Sequence, residues 1–204
     1  MEQGCFISLV SMISRNSSQS AAGYTIFELV FVMTLVAILA GIAIPSFKYV
    51  TTSNRIAMEI NGLLADMRYA RSEAMKEGLP VTVCASSNGT SCNGGTTGDW
   101  AIGWIVFSDP NNNQTPPSVA SILRVQTPLS TAYNSSDTLV ADYTTFNAET
   151  FNRQGYGSNN STTPANKMTL KLHSAPVTQA WTRCLEISVI GALTIEQAST
   201  GACT

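Results

Sequence analysis

The apolar positions of the chain change their period twice. From Tyr24 to Ile44 the run YTIFELVFVMTLVAILAGIAI is apolar at nearly every position for 21 residues, with Glu28 its only charged side chain. A helix of that length, at about 1.5 Å rise per residue, spans ~30 Å, the hydrocarbon thickness of a bilayer. Pro45 then interrupts or kinks the helix. Beyond it Ile56, Ile60, Leu63, Leu64, Met67, Ala70, Ala74 and Met75 recur at three- and four-residue steps, which predicts the buried stripe of an amphipathic helix. Between them stand Arg55, Glu59, Asp66, Arg68, Arg71, Glu73, Lys76 and Glu77, read as a solvated face, with a contact surface for a partner as the alternative. Gly78-Leu79-Pro80 ends the helix.

After Pro80 short β-prone runs replace the helical period: VTVCA, DWAIGWIVFSD, SILRVQ, TLVADYTTFNA, NKMTLKLH and CLEISVIGALTI. Clusters of Gly, Asn, Ser and Pro separate them, and PNNNQTPPS and GYGSNNSTTPAN, at about 110–118 and 155–166, read as exposed loops. The pattern predicts an α+β fold: a long N-terminal helix, transmembrane in its first half and amphipathic in its second, packed against an antiparallel β-sheet domain. There is no internal repeat and no linker long enough to define a second soluble domain.

Composition sharpens one point. A chain of 204 residues with 44% apolar and only 12% charged residues is low in charge for a soluble protein, and part of the deficit lies in the 24–44 run. Glu28 is the anomaly there, because a charged side chain at bilayer depth costs on the order of 3 kcal/mol and calls for a partner. A cleaved secretory signal does not fit the run, since the small residues Ala21-Ala22-Gly23 precede it and IAIPSFKYV follows. A plain anchor leaves Glu28 unexplained. A cut after Gly23 would instead create an α-amino group at Tyr24, one helical turn from Glu28. A like helix alongside could then set its own amine against the carboxylate, which removes most of the burial cost and fixes the register between neighbours.

Gly23, Tyr24 and the T-x-x-E-L of Thr25 to Leu29, followed by a run ending near Pro45, resemble the class III signal of type IV pilins and type II secretion pseudopilins. The resemblance implies that a membrane-embedded prepilin peptidase cuts between Gly23 and Tyr24 and N-methylates Tyr24. It also implies that Glu28, the fifth mature residue, guides incorporation into the filament.

Cleavage there would remove Cys5 and leave Cys84, Cys92, Cys184 and Cys203. Three pairings are possible; the short-range solution joins Cys84 to Cys92 across ASSNGTS and Cys184 to Cys203 around the C-terminal hairpin. Disulfides persist outside the reducing cytosol, so the β-rich part is expected in the periplasm or outside the cell. Zinc is disfavoured by the lack of C-x-x-C spacing or a His cluster, and no cofactor is called for.

VCASSNGTSCNGG followed by DWAIGWIVFSD, with a helix carrying ADMRYARSEAMKEG, is similar to the GspH/FimT branch of the pilin-like superfamily, over roughly residues 22–110. FNRQGYGS and CLEISVIGALTI match more weakly. The branch implies a low-copy minor pilin or minor pseudopilin at or near the filament tip. Trp100, Trp104 and Phe107 read equally well as ordinary strand core.

One subgroup of that branch binds DNA in natural transformation through a G-R-x-R pattern near the C-terminus, and the corresponding Gly191-Ala192-Leu193-Thr194 has neither arginine. The formal net charge is −2, and loss of residues 1–23 removes one acid, Glu2, and one base, Arg15. A DNA face would need Arg153, Lys167, Lys171 and Arg183 to cluster, so DNA uptake is the alternative function rather than the first. An enzyme is disfavoured: the single histidine, His173, lies in the alternating segment KMTLKLH and reads as a solvent-facing strand residue, with no nucleophile elbow or phosphate loop nearby.

The sequence therefore predicts a leader over 1–23, a transmembrane helix over 24–44, its amphipathic continuation over 45–78 and a β-rich periplasmic domain over 79–204. The expected partners are a prepilin peptidase, other pilins or pseudopilins and the inner membrane.

Overall fold

The computed structural model describes residues 23–93, 98–129, 137–142, 146–159, 167–175, 177–198 and 203. The chain divides between Ser46 and Phe47 into two compact units. Helix α1, Ile26–Glu77, continues through position 45, so Pro45 does not interrupt it, contrary to one of the two expectations from the sequence.

Up to Ser46 the helix is apolar on all sides, apart from Glu28 and Thr34, and none of the described residues covers it: Phe27, Leu29, Phe31, Val36 and Ile42 are all exposed. A helix of that kind belongs in lipid or among other apolar helices.

The globular unit is built on the second half of α1. Ile56, Ile60, Leu63, Leu64, Met67, Ala70 and Ala74 are buried against both sheets, as their spacing requires. Met75, expected in the stripe, is 48% exposed. At 3.6 residues per turn, Ala70 and Ala74 already complete the buried line, and Met75 falls about 100° to its side. Gly78, at φ +70°, closes the helix with its N–H on the Ala74 carbonyl, a left-handed conformation that glycine adopts without strain.

Among the described residues nine strands follow: β1 Val81–Ala85, β2 Trp104–Ser108, β3 Ile122–Gln126, β4 Asp137–Ala141, β5 Ala148–Phe151, β6 Gly157–Asn159, β7 Lys167–Ser174, β8 Thr182–Ser188 and β9 Leu193–Gln197. They form two antiparallel sheets, in the orders β3-β2-β1-β5-β6 and β4-β7-β8-β9. In the first sheet Val81, Val83, Trp104 and Val106 face the core shared with the helix, while Cys84, Ile105, Phe107 and Ala148 form a second cluster on the opposite face. Both faces are thus buried, so every position of β1 is buried, including Thr82, whose hydroxyl is satisfied by Asp109 and Thr150. In the second sheet Leu139, Leu170, Leu172, Leu185 and Ile187 close the core. Trp100, Trp104 and Phe107 are core residues.

The 110–118 segment carries no strand, as expected. The buried Asp109 carboxylate holds its start by accepting from Thr82 Oγ1 (2.9 Å) and from the backbone N–H groups of Asn113 (3.1 Å) and Gln114 (2.8 Å). The expected loop at 155–166 needs a correction: Gly157–Asn159 is the edge strand β6, paired with Glu149–Phe151, and 160–166 lies outside the described residues. Three residues hydrogen-bonded to an already formed strand need no period of their own, so the polar composition of the segment concealed them.

Candidate functional site

At the N-terminus Gly23 and Tyr24 are exposed and precede the helix. Thr25 stands just before Ile26 and its Oγ1 accepts the backbone N–H of Glu28 (3.3 Å), the first half of a capping box whose T-x-x-E spacing is plain in the sequence. Glu28 thereby sits in the first turn, where the positive end of the helix dipole favours a carboxylate. Farther along, Thr34 donates to the Phe31 carbonyl (2.7 Å). Each threonine hydroxyl therefore has a local partner that survives transfer into lipid. The Glu28 carboxylate is exposed and has none among the described residues.

The cysteines adopt the short-range solution. Cys84 bonds to Cys92, closing a loop on the outer cluster of the first sheet, and Cys184 bonds to Cys203 beside β9. Inside the first loop Asn88 Oδ1 accepts from the N–H groups of Thr90 (2.9 Å) and Ser91 (3.0 Å), and Ser86 Oγ donates to the Ser91 carbonyl (2.7 Å).

The four basic residues weighed as a DNA face do not all share one face. Lys171 pairs across the strands with Cys184 and Arg183 with Leu172, so strand alternation puts Lys171 and Arg183 on opposite faces of one sheet. Glu186 and Glu196 share the face of Lys171. Arg183 is occupied in holding the Ala180 (3.1 Å) and Thr182 (2.8 Å) carbonyls. Lys167 opens β7 opposite Ser188, and Arg153 lies on the turn between β5 and β6.

Part of the charged face of α1 proves structural rather than solvated. Arg55 grips the buried Asp137 with two contacts, Nε to Oδ2 at 2.6 Å and Nη2 to Oδ1 at 2.8 Å, and also donates to Ser174 Oγ at 3.0 Å. Asp66 accepts from Trp104 Nε1 (2.9 Å) and from Arg124 (2.9 Å), whose guanidinium lies over the Tyr69 ring. Arg71 donates to the Gly155 carbonyl (3.0 Å), tying the β5–β6 turn to the helix. Gly191 is needed there, because a Cβ at this position would collide with the Gly155 carbonyl.

His173 is half-buried and hydrogen-bonded to Thr138 Oγ1 at 2.9 Å, rather than freely solvated. Burial, then Lys171, push its pKa below the usual imidazole value, with Asp137 pulling the other way. Glu149, not singled out from the sequence, is 2% exposed beneath the helix, and burial pushes its carboxyl up to about 8. Its Oε2 has no partner among the described residues, among which no cluster of three metal-ligating side chains occurs.

The fold and the sequence both have known counterparts. The structure aligns with the type IV minor pilin FimU of Pseudomonas aeruginosa at 19% identity and a TM-score of 0.53, covering 74% of this chain and 96% of FimU. A second crystal form of FimU aligns at 20% identity and a TM-score of 0.48, covering 73% and 98%. No curated protein matches the chain significantly. At the level of sequence, the profile of the type II transport protein GspH matches residues 59–191, well over half of the 204. With this match the chain belongs to the GspH family, and its fold, a long helix packed on antiparallel sheets, is that of FimU.

Proposed function

We propose that the chain is a prepilin, cut between Gly23 and Tyr24 and N-methylated at Tyr24, that serves as a non-enzymatic minor subunit at or near the tip of a type IV pilus or a type II secretion pseudopilus. Before assembly it resides in the inner membrane through a single pass over residues 24–44, with the globular unit in the periplasm. The disulfides support that compartment.

The observation that carries this reading is Glu28: a carboxylate with no described partner in a helix segment that is otherwise apolar all round and locally satisfied. In hydrocarbon such a group is costly alone and favourable only when a cation meets it. The α-amino group of a processed neighbour, delivered by a helix of the same kind, is such a cation.

Replacing Glu28 with alanine should leave membrane insertion intact or improved, while the variant is lost from sheared filaments. Immunoblots of membrane and filament fractions check this, and undiminished incorporation of the variant would remove the support for the assembly role.

A further inference from the structure

The end of the globular unit where the chain enters it carries an apolar collar that the core does not use. Residues 47–50, Phe47-Lys48-Tyr49-Val50, go once around α1, and Phe47, Tyr49 and Val50 are 66%, 51% and 50% exposed. The Tyr49 ring meets Trp181 at a centroid distance of 6.1 Å and a tilt of 43°.

The register explains how Trp181 arrives there. Ser174 pairs with Asp137, and His173 with Thr182, so residues 175 and 177–181 lie in the reversal between β7 and β8. Arg55 holds both Asp137 and Ser174, which fixes the start of that reversal beside Arg55. Tyr49 is six residues, or about 9 Å of helix, nearer the membrane run. The reversal therefore extends down the helix toward residue 47 and presents Val177, 68% exposed, at the same end. Arg183 clasps the Ala180 and Thr182 carbonyls on either side of Trp181 and so fixes the backbone that carries the ring.

We propose that Phe47, Lys48, Tyr49, Val50, Val177 and Trp181 form a docking surface for the headgroup layer of the bilayer, seating the globular unit on the membrane before the subunit is extracted into a filament. The proposal rests on the membrane-anchored reading of residues 24–44.

Chain connectivity commits the collar to this occupant. Tyr49 is five residues past Ile44, the last residue of the apolar run. Those residues reach ~7.5 Å if helical and at most ~17 Å if extended, and the headgroup layer is about 5–8 Å thick on each side. The side chains also have the chemistry of that layer: aromatic rings, and a lysine with an apolar stem and a charged head. Neither 47–54 nor 175–181 contains an acid, so Lys48 meets anionic lipid without competition from its own segment. The indole N–H of Trp181 turns inward without a described partner, so lipid contact falls to the ring edge and to the Tyr49 hydroxyl.

Trp100 and Trp104 are buried in the core, which makes Trp181 the reporter. The full chain is reconstituted into phosphatidylcholine–phosphatidylglycerol vesicles, and insertion is checked by co-flotation. Lipid spin-labelled near the headgroup should quench part of the tryptophan emission, label deep in the acyl chain should quench far less, and Trp181→Phe should lose the shallow quenching while keeping the emission of the buried pair. Chain that floats with vesicles but shows no shallow quenching, or shows it undiminished in Trp181→Phe, overturns the proposal and leaves the anchor intact. Chain that fails to float overturns the anchor and the collar together.

Discussion

Replacing Asp137 with alanine is expected to destabilise the globular unit by about 3–5 kcal/mol, the cost of leaving one member of a buried ion pair without its partner. The Asp137 side chain is wholly buried and the Arg55 side chain is 15% exposed, so neither charge is relieved by water when the other is removed. The pair also joins α1 to β4, the edge strand of the second sheet, and through Ser174 to β7. Its loss therefore loosens helix and sheet together. Guanidinium unfolding followed by the emission of Trp100 and Trp104 measures the change. A loss below about 1 kcal/mol, the worth of an exposed pair, would contradict the geometry. The double replacement Arg55→Met, Asp137→Leu should lose less than the single one, because it removes the stranded charge along with the pair.

The second large effect is a pH dependence centred on Glu149. Its carboxyl is pushed up to about 8 in the folded chain by burial, whereas an unfolded carboxyl titrates near its ordinary value of 4.5. Below that ordinary value both states hold the proton and Glu149 adds no pH dependence. Between the two values the unfolded chain has released its proton and the folded chain has not, so stability falls as pH rises. The slope approaches about 1.4 kcal/mol per pH unit and levels off above pH 8. Glu149→Gln, which keeps the shape and cannot ionise, should match the parent near pH 4.5 and exceed it by a growing margin toward pH 8. Unfolding curves at a series of pH values test this, and parallel profiles for the two proteins would refute the assignment.

The parts of this structure that were legible in the sequence are those where a single physical constraint acts over many residues. The all-apolar run, the stripe from Ile56 to Ala74 and the Gly78 stop each follow from one period or one backbone requirement, and each is found where expected. The short-range disulfides belong with them, because eight and nineteen residues of chain keep each pair close whatever the rest of the fold does. What escaped depends on contacts distant in sequence. Arg55 and Asp137 are 82 residues apart, and nothing in either neighbourhood distinguishes a gripping arginine from a solvated one. Glu149 lies in a four-residue strand whose every position is buried, so no alternation warned that a carboxylate would face the core. The first turn of α1 lies between these extremes: the T-x-x-E spacing was visible, but its capping geometry emerged only with the hydrogen bond from the Glu28 N–H to Thr25.

The capping bond also bears on assembly. It fixes the first turn of α1 without using the Glu28 carboxylate, which leaves that group free for a cation from outside the chain. Cleavage after Gly23 would give the mature chain such a cation of its own, at Tyr24, to offer the next subunit.

The N-terminal peptide of protein extracted from membranes that contain a prepilin peptidase, read by mass spectrometry, tests this account most directly. The expected peptide begins at Tyr24 and carries a methyl group on its α-amino nitrogen. Mature protein that retains residues 1–23, or that begins at any residue other than Tyr24, would contradict it.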